Sequence, residues 1–416
     1  MSDKIKIFTI SDHPLSPSGV GTQTRYVIEA MLKTGKYEFV SFGGAIKHEN
    51  HNPQKTEEWG EQWIIWPVDG YGTPDMVRAM IHQQKPDMLW FMTDPRFYGW
   101  LWEIENEIRA HVPMVYYHVW DNYPYPKFNA PWYKSNDHIA CISKLTHDVV
   151  QNVAPEIDCS YIPHAVDADI FKPAPAESIE TYRAERNLKD KFVCFWNNRN
   201  ARRKQSGTLI FWFKEFLDKV GHDNATLIMH TDIKDVHGQD LEAIIHELGL
   251  TNGQVLFSQD KVSSHDLAAI YNGVDVTVNI SDAEGFGLAT LESLYCGTPI
   301  VVTMTGGLQF QVTDGENFFG VGVEPNAKAI IGSQQVPYIY EDRIGKEDFV
   351  SALTKMYEMG AEERAKLGAA GREHALKEFN FEDFVQRWDD LLTEIYETKG
   401  SWDTRSGYQS YEMRTL

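Results

Sequence analysis

The sequence contains little cysteine and no long apolar run. Its four cysteines, Cys141, Cys159, Cys194 and Cys296, are widely spaced among 416 residues and form neither a CxxC metal pattern nor a dense disulfide framework. No stretch reaches the roughly 18 consecutive apolar residues of a membrane-spanning helix, and the N-terminal MSDKIKIFTISDHP lacks the apolar core of a signal peptide. These absences argue against a disulfide-stabilised scaffold and predict a soluble protein of the cytoplasm.

Positive charge is also scarce. The chain has 39 Lys and Arg against 60 Asp and Glu, a formal net charge of −21, and neither half is basic. Such a balance disfavours nonspecific binding to nucleic acid or anionic lipid. Any site for an anion therefore has to be a local cluster of cations.

Apolar and aromatic residues, in contrast, are abundant enough for large cores. Hydrophobic residues make up 42% of the chain, and the aromatics comprise 12 Trp, 19 Tyr and 21 Phe. Because domains usually span roughly 100 to 200 residues each, this length and composition predict two globular domains rather than a disordered chain.

Short β-rich runs alternate with amphipathic helical segments, and the pattern occurs twice, which predicts two parallel α/β sheets. The predicted strands are 4–10, 37–44, 62–68, 88–94, 113–120 and 138–143 in the first half, and 192–198, 226–232, 254–259, 275–280 and 299–304 in the second.

Domain boundaries are predicted from the segments without this pattern. Residues 171–178, FKPAPAES, have two prolines and no apolar period, which is typical of a linker. We therefore expect an N-terminal domain over 1–170, a second domain over 171–385, and a C-terminal helix and tail over 386–416. The last residues, from 401, show no clear period and predict either a docked or a disordered tail.

The turn after the first strand contains Gly19, Val20 and Gly21 just ahead of a predicted helix. Glycines let backbone N–H groups approach a ligand, and a helix N-terminus favours an anion. The turn is not a G-x-G-x-x-G dinucleotide pattern, because Thr24 replaces the third glycine. A plain strand-to-helix turn remains an alternative.

A second turn concentrates cations. After the predicted strand 192–198 the sequence reads Arg199-Asn-Ala-Arg202-Arg203-Lys204. Guanidinium and ammonium groups form strong charge-assisted hydrogen bonds with phosphate, so the cluster predicts a phosphate site. The alternative is a solvated helix start, although cations at a helix N-terminus oppose the helix dipole.

A third turn, SDAEGFGLATLESLY, places Glu284 in a loop whose Gly285 and Gly287 leave backbone donors accessible. A helix is expected to begin near Leu288, with Glu292 about one turn inside it. Carboxylates suit hydroxyl-rich ligands because their oxygens accept hydrogen bonds from hydroxyl groups. The alternative for Glu292 is a purely structural acid near a helix N-terminus.

These motifs resemble those of a known family. Glu284-Gly-Phe-Gly-Leu-x3-Glu292, followed by Cys296-Gly-Thr-Pro, resembles the E-x7-E element of the retaining glycosyltransferases of family 4. The segment YIPHAVDADIFKP, at 161–173, is similar to the family's segment before the linker, although His164 and Ala165 depart from its usual Asn and Gly. The resemblance implies the GT-B fold, two facing Rossmann-like parallel-sheet domains with a C-terminal helix crossing back to the N-terminal domain.

The resemblance also implies roles for the second domain. Arg199 and Lys204 would bind the donor's diphosphate and offset the charge on the leaving nucleotide. Glu284 would contact the transferred sugar, and Glu292 the ribose hydroxyls. The remaining donor-binding positions lie next to sugar and phosphate; they are Gly285, Phe286, Gly287 and Leu288.

For the first domain, the resemblance assigns two sites. Gly19, Val20 and Gly21 would close over the phosphates. His118, at the end of the strand 113–120, would lie near the sugar and the reaction centre. Without that resemblance, a single histidine is more often structural than functional.

The implied reaction transfers a hexose or pentose from a nucleotide-diphosphate sugar to a hydroxyl acceptor, which is a glycan, lipid or small molecule. A UDP-sugar is preferred over a GDP-sugar as donor. Transfer would retain anomeric configuration by a front-face mechanism, with no metal and no other cofactor. The pair Asp167 and Asp169 belongs to the segment before the linker rather than to a metal motif. The acceptor and the oligomeric state stay open.

Three alternatives remain. Aromatic-rich residues 119–137 could stack on bases, as expected of an enzyme that glycosylates hydroxymethylated DNA, but no basic stripe accompanies them. The chain could instead be a non-catalytic GT-B binding protein, although its motif residues are all present. A nucleotide-sugar epimerase or a phosphorylase of similar architecture is the third alternative.

Overall fold

A computed structural model describes residues 4–410 and divides them into two compact units. The first unit comprises 4–164, 333–337 and 382–410, and the second comprises 165–332 and 338–381. The chain thus passes from the first unit to the second after residue 164 and returns to the first unit after residue 381. The expected domain boundaries were at residues 170 and 385. Among residues 4–410, no helix is long and apolar enough to cross a bilayer.

The first unit is built on an eight-stranded sheet. Its strands are β1 (Ile5–Asp12), β2 (Tyr37–Gly44), β3 (Gln54–Lys55), β4 (Trp63–Pro67), β5 (Met88–Met92), β6 (Met114–His118), β7 (His138–Cys141) and β8 (Cys159–Tyr161). Their spatial order is β3-β4-β2-β1-β5-β6-β7-β8, and all pairs are parallel except β3 with β4. The chain order reverses between β1 and β5, which makes this a switch point where ligands of such sheets bind.

Six helices connect these strands. They are α1 (Gly19–Lys33), α2 (Pro74–Gln84), α3 (Gly99–Trp102), α4 (Glu105–Arg109), α5 (Ala130–Lys134) and α6 (Lys144–Val153). Because helices connect parallel strands, the central strands are buried on both faces, and the side chains of Ile7, Phe8 and Ile10 in β1 are inaccessible to solvent. This explains why the strands appear in the sequence as nearly continuous apolar runs.

The glycine turn differs from the expectation. Gly19 and Gly21 do not precede α1 but form its first turn, because the hydroxyl of Ser18 caps the helix by accepting a hydrogen bond from the Gly21 amide at 2.9 Å. A side chain at Gly21 would collide with the backbone oxygen of His13. Close approach of two backbone segments therefore requires this glycine.

The second unit contains a six-stranded parallel sheet and a hairpin. Its strands are β9 (Phe192–Asn197), β10 (Ala225–His230), β11 (Val255–Ser258), β12 (Val276–Asn279), β13 (Ile300–Thr303), β14 (Gly320–Val323), β15 (Ala327–Ile331) and β16 (Ile339–Arg343). The sheet order is β11-β10-β9-β12-β13-β14, the order of a dinucleotide-binding Rossmann sheet, and β15 pairs with β16 in antiparallel fashion. The prediction of two parallel α/β sheets is confirmed.

Eight helices belong to the second unit. They are α7 (Ala176–Glu185), α8 (Ser206–Val220), α9 (Leu241–Glu247), α10 (Ser264–Gly273), α11 (Leu288–Tyr295), α12 (Gln309–Val312), α13 (Lys346–Glu358) and α14 (Gly360–Glu378). Helix α7 begins inside the segment predicted as a linker, because Pro175 is compatible with a helix start and the following Ala and Glu favour helix. Strand β14 was missed because its sequence, GVGV, offers only two apolar side chains.

The last helix, α15 (Phe381–Lys399), packs in the first unit, as the expected GT-B architecture requires. Its Trp388 is buried in edge contact with the rings of Trp90 and Tyr117. The segment after it is docked as well, since Trp402 stacks on His111 and donates to the backbone oxygen of Pro86 at 2.9 Å. Residues 411–416 of the predicted tail lie outside the described residues.

Docking of this segment predicts a measurable contribution to stability. Arg405 forms a buried ion pair with Asp137 at 2.6 Å, and the same carboxylate pairs with Arg109 at 3.0 Å. Replacing Arg405 by Ala leaves charges buried without their full complement, so the free energy of unfolding of the first unit is expected to fall by ~3 kcal/mol. Urea titration of the purified chain measures the change.

Arg25→Ala is the matched control, because Arg25 makes an exposed pair with Glu29 on α1. Its removal is expected to change the free energy of unfolding by less than ~1 kcal/mol. Equal effects of the two substitutions would contradict a stabilising role for the docked segment.

Candidate active site

The second unit brings two of the predicted turns together. Strands β9 and β12 are parallel neighbours at the point where the strand order reverses. The cationic turn follows β9, and the Glu284 turn follows β12. Both turns therefore leave the carboxyl edge of the sheet at its switch point, where doubly wound sheets bind ligands.

A buried ion pair joins the two turns. The Nζ of Lys204 donates to Oε2 of Glu284, which also accepts from the amide of Asn279 at 3.2 Å. The side chain of Lys204 is only 10% exposed, and that of Glu284 only 13%. Burial raises the pKa of Glu284, but the charges of Lys204 and Arg203 and the hydrogen bonds to the carboxylate outweigh it, so the net pKa lies below the ordinary value. The carboxylate therefore stays ionised.

Arg203 forms further contacts between the cationic turn and the Glu284 turn. The sequence had pointed to Arg199 and Lys204 instead. The guanidinium of Arg203 donates to the backbone oxygen of Ala283 at 2.7 Å, and its own backbone oxygen accepts from the amide of Asp282 at 2.8 Å. The signal was present in the sequence as three adjacent cations, but the sequence alone did not show which of them points toward the Glu284 turn.

The other two cations of the cluster are paired elsewhere. Arg199, whose side chain is 62% exposed, makes a bidentate pair with Asp235 at 2.6 and 3.1 Å, in the segment after β10. Arg202 makes a bidentate pair with the buried Glu341 of β16 at 2.6 and 2.8 Å. The role of Arg199 at a diphosphate thus remains a prediction, while Lys204 is placed beside Glu284.

The backbone of the Glu284 turn is held by hydrogen bonds from Gly307 and Gln311. Helix α11 begins at Leu288 as predicted, and Gly287 precedes it with a φ of 93°, in the left-handed region. The amide of Gln311 donates to the backbone oxygens of Phe286 and Gly287 at 2.8 and 3.0 Å, and Gly307 donates to that of Glu284 at 2.9 Å. These contacts hold the turn in one conformation.

Glu292 lies in α11, as predicted. Its Oε2 accepts a hydrogen bond of 2.7 Å from the hydroxyl of Tyr271, which in turn accepts from the amide of Asn197 at 3.0 Å. Burial raises the pKa of Glu292 to about 7, against a lowering by the Tyr271 hydrogen bond. Tyr271 was not predicted, since only the fold brings α10 beside α11.

The first unit holds the other predicted residues. Ser18, which caps α1 ahead of Gly19, Val20 and Gly21, donates to Asp12 at 2.6 Å, and Tyr71 donates to the same carboxylate at 2.9 Å. Burial raises the pKa of Asp12, and these two hydrogen bonds lower it in part. The capping hydroxyl is thereby fixed to the end of β1.

His118 is inaccessible to solvent at the end of β6, and its Nε2 lies 2.7 Å from the hydroxyl of Tyr133. Burial lowers the pKa of His118 to about 3. The imidazole is therefore neutral at physiological pH. Within residues 4–410, no group of three or more His, Cys, Asp or Glu side chains is arranged to hold a metal ion.

The chain is similar to known glycosyltransferases in part of its sequence and in its fold. Residues 178–355 match the family model described as glycosyl transferases group 1, a match that includes the cationic and Glu284 turns. A D-inositol 3-phosphate glycosyltransferase of Corynebacterium jeikeium is 29% identical over 161 residues, and one of an Arthrobacter species is 33% identical over 109 residues. These alignments cover 38% and 26% of this chain, and 38% and 25% of the relatives' own lengths.

Solved structures match over nearly the whole chain. Sucrose-phosphate synthase from Thermosynechococcus elongatus superposes with a TM-score of 0.76 at 17% identity, covering 95% of this chain and all of that one. The fold is GT-B. HepE from Anabaena, solved with UDP and glucose, gives a TM-score of 0.69 at 15% identity, covering 94% of this GT-B chain and all of its own.

The raised pKa of Glu292 makes a prediction about stability. The folded pKa of about 7 exceeds the ordinary 4.5, so the folded state binds the proton more tightly and the free energy of unfolding falls as pH rises through this interval. In Glu292→Gln the side chain cannot ionise. The variant is therefore expected to gain ~1–3 kcal/mol over the natural chain between pH 5 and pH 8.

Urea titrations at several pH values measure this gain. Glu247→Gln, at an exposed position of α9, is the control and is expected to change stability by less than ~0.5 kcal/mol throughout. A Glu292→Gln advantage that does not grow with pH would show that burial does not raise the pKa of this carboxyl.

Proposed function

We propose that the protein is a retaining glycosyltransferase of family 4, which transfers a sugar from a UDP-sugar to a hydroxyl acceptor in the cytoplasm. The observation that carries the proposal is the buried pair of Lys204 and Glu284 at the switch point of the second unit. The pair places a cation and an ionised carboxylate side by side. A nucleotide sugar presents the matching groups, a diphosphate next to a ring of hydroxyls.

In this proposal Lys204 binds the diphosphate, and Glu284 accepts hydrogen bonds from the transferred sugar. An ammonium in a nearly dry environment interacts with phosphate more strongly than one in water. Arg199 adds a second charge after exchanging Asp235 for the phosphate. The backbone of Gly285, Phe286, Gly287 and Leu288 borders the sugar and phosphate, and the first turn of α11 favours an anion.

Glu292 then accepts from the ribose hydroxyls of the nucleotide. Tyr271 already donates one hydrogen bond to Oε2, which holds the carboxylate in place and leaves its remaining lone pairs for the ligand. From the first unit, we propose that Gly19, Val20 and Gly21 contact the phosphates and that His118 contacts the sugar, the roles that the family resemblance implies.

The chemistry proceeds on one face of the sugar and uses neither a metal nor a further cofactor. The bond between the anomeric carbon and the diphosphate breaks while the acceptor oxygen bonds to that carbon from the same face. The acceptor's proton passes to the departing phosphate oxygen. Negative charge grows on that phosphate, and Lys204 and Arg199 stabilise it where it develops.

The donor is proposed as UDP-glucose, supported by the similarity in fold to HepE, which was solved in complex with UDP and glucose. A GDP-sugar is the second donor to test. For the acceptor, the relatives' names suggest D-inositol 3-phosphate as the first small molecule to test.

The proposal is tested with two substitutions. Lys204→Met removes the cation and is expected to weaken protection of the protein by UDP against thermal unfolding, whereas Glu284→Gln retains that protection but loses transfer by at least ~100-fold. Protection is measured by calorimetry with UDP, UDP-glucose and GDP-mannose. Transfer is measured as acceptor-dependent release of UDP, and product NMR gives the anomeric configuration.

Lys214→Met is the control, because Lys214 pairs with Asp218 on the surface of α8. It should bind UDP and turn over like the natural chain. Unchanged turnover in both Lys204→Met and Glu284→Gln would contradict the assignment of the donor site. Incorporation of sugar into hydroxymethylated DNA, but into no small molecule, would instead establish the DNA-modifying alternative.

A further inference from the structure

The cations of the turn after β9 are divided between carboxylates that follow two different strands. In the sheet order β10-β9-β12, strands β10 and β12 lie on opposite sides of β9. Lys204 pairs with Glu284, which follows β12, whereas Arg199 pairs with Asp235, which follows β10. Arg199 is thus bound by a different segment from the one that supplies Glu284, although both cations are proposed to hold one diphosphate.

The pair of Arg199 and Asp235 occupies one edge of an exposed guanidinium. Nε of Arg199 donates to Oδ2 of Asp235 at 2.6 Å, and Nη2 donates to Oδ1 at 3.1 Å. The hydrogen bonds from Arg199 lower the pKa of Asp235, so this carboxylate is ionised at neutral pH. A phosphate that forms a bidentate contact with the same two nitrogens has to displace the carboxylate.

Residues 235–239 are held against the cationic turn by contacts that do not involve this ion pair. The Nδ2 of Asn200, whose side chain is inaccessible to solvent, donates to the backbone oxygen of Gln239 at 2.7 Å. The Oδ1 of Asn200 accepts from the Gln239 amide at 3.2 Å. The backbone of Gly238 packs so closely on Asn200 that a Cβ there would lie 2.3 Å from it. The segment therefore keeps its place when the ion pair opens.

Asp235 also keeps a hydrogen-bond donor after Arg199 leaves. The backbone amide of His237 donates to its Oδ1 at 2.8 Å. The exchange therefore costs one ion pair whose cation is exposed to water, and such pairs contribute little to stability. Displacement of Asp235 by a more highly charged anion is thus energetically feasible.

We propose that Asp235 limits the affinity of the donor site, because it competes with the diphosphate for Arg199 and is displaced when the nucleotide binds. The inference rests on the proposed function, which assigns a nucleotide diphosphate to Arg199 and Lys204. Nucleotide affinity is lowered in proportion to the fraction of molecules in which Arg199 is free of Asp235. The same competition favours release of the nucleotide diphosphate after transfer.

Removal of the competing charge is expected to strengthen binding. In Asp235→Asn the side-chain oxygen still accepts from the His237 amide, but the side chain is no longer an anion beside Arg199. UDP and inorganic diphosphate should each bind about fivefold more tightly than to the natural chain, the upper end of what an exposed ion pair contributes. Isothermal titration calorimetry of the full chain measures both affinities. Unchanged or weaker binding of UDP by Asp235→Asn would overturn the inference.

Two controls separate competition for Arg199 from a general gain of positive charge. Glu242→Gln removes a carboxylate from an exposed pair with Lys234 at 2.8 Å, close in the sequence, and should change UDP affinity by less than about twofold. In the Arg199→Gln background, Asp235→Asn should have no effect, because the group for which Asp235 competes is absent. An equal gain with and without Arg199 would show that Asp235 acts only through overall charge, and the inference would be wrong.

A crystal structure of the UDP complex shows the exchange directly. Arg199 is expected to contact phosphate oxygens, and Asp235 to keep the His237 amide as a donor without Arg199. If UDP is bound while the bidentate pair of Arg199 and Asp235 persists, the inference is overturned.

The choice of ligands distinguishes failure of this inference from failure of the proposed function. If the natural chain binds UDP and turns over UDP-glucose, but Asp235→Asn has the same effect with and without Arg199, only the inference fails. If inorganic diphosphate binds and the two substitutions are coupled, yet no nucleotide sugar binds or reacts, the proposed function fails and the competition for an anion stands. If neither UDP nor inorganic diphosphate binds, both are wrong.

Discussion

The ion pair between Lys204 and Glu284 constrains most of the local structure at the switch point of the second unit. Each charge is nearly removed from water, and a buried charge without its partner would be strongly unfavourable. The two turns that supply them must therefore meet. Their meeting is reinforced by the backbone contacts of Arg203 and by the bond from Gly307 to the oxygen of Glu284.

The two carboxylates of the E-x7-E element show how environment separates identical groups. Glu284 lies among cations, and its pKa is lowered despite burial, whereas Glu292 faces a neutral tyrosine and its pKa rises to about 7. At neutral pH the first is fixed as an anion, and the second titrates. Sequence spacing alone gives no hint of this division, because both residues are glutamates close to one helix.

Much of the fold could be predicted because burial leaves a periodic trace in the sequence. The parallel strands and the start of α11 at Leu288 follow from apolar runs and from glycine placement. The hairpin of β15 and β16 leaves no such trace, since both of its strands include charged residues and it packs only partly. The placement of Gly19 inside α1 also escaped prediction, because a serine cap can start a helix on residues that disfavour one.

The sequence predicted which types of residue form the site, but not which of them contact one another. Four cations in one turn predicted an anion site. Only the fold shows that Arg203 and Lys204 contact the Glu284 turn, whereas Arg199 pairs with Asp235. Tyr271 was missed for the same reason. It is an ordinary residue in the sequence, and its part in the site comes from its hydrogen bond to Glu292 on another helix.

The return of 382–410 to the first unit sets an order for the making of this protein. The second unit, apart from the short segment 333–337, is continuous from 165 to 381 and is complete once those residues have left the ribosome. The first unit begins to emerge earlier, yet it lacks Trp388 and Trp402 until the residues that follow the second unit have been made. During synthesis, domains that are whole fold as units. The first unit therefore completes its packing after the second unit does, although residues 4–164 are made first.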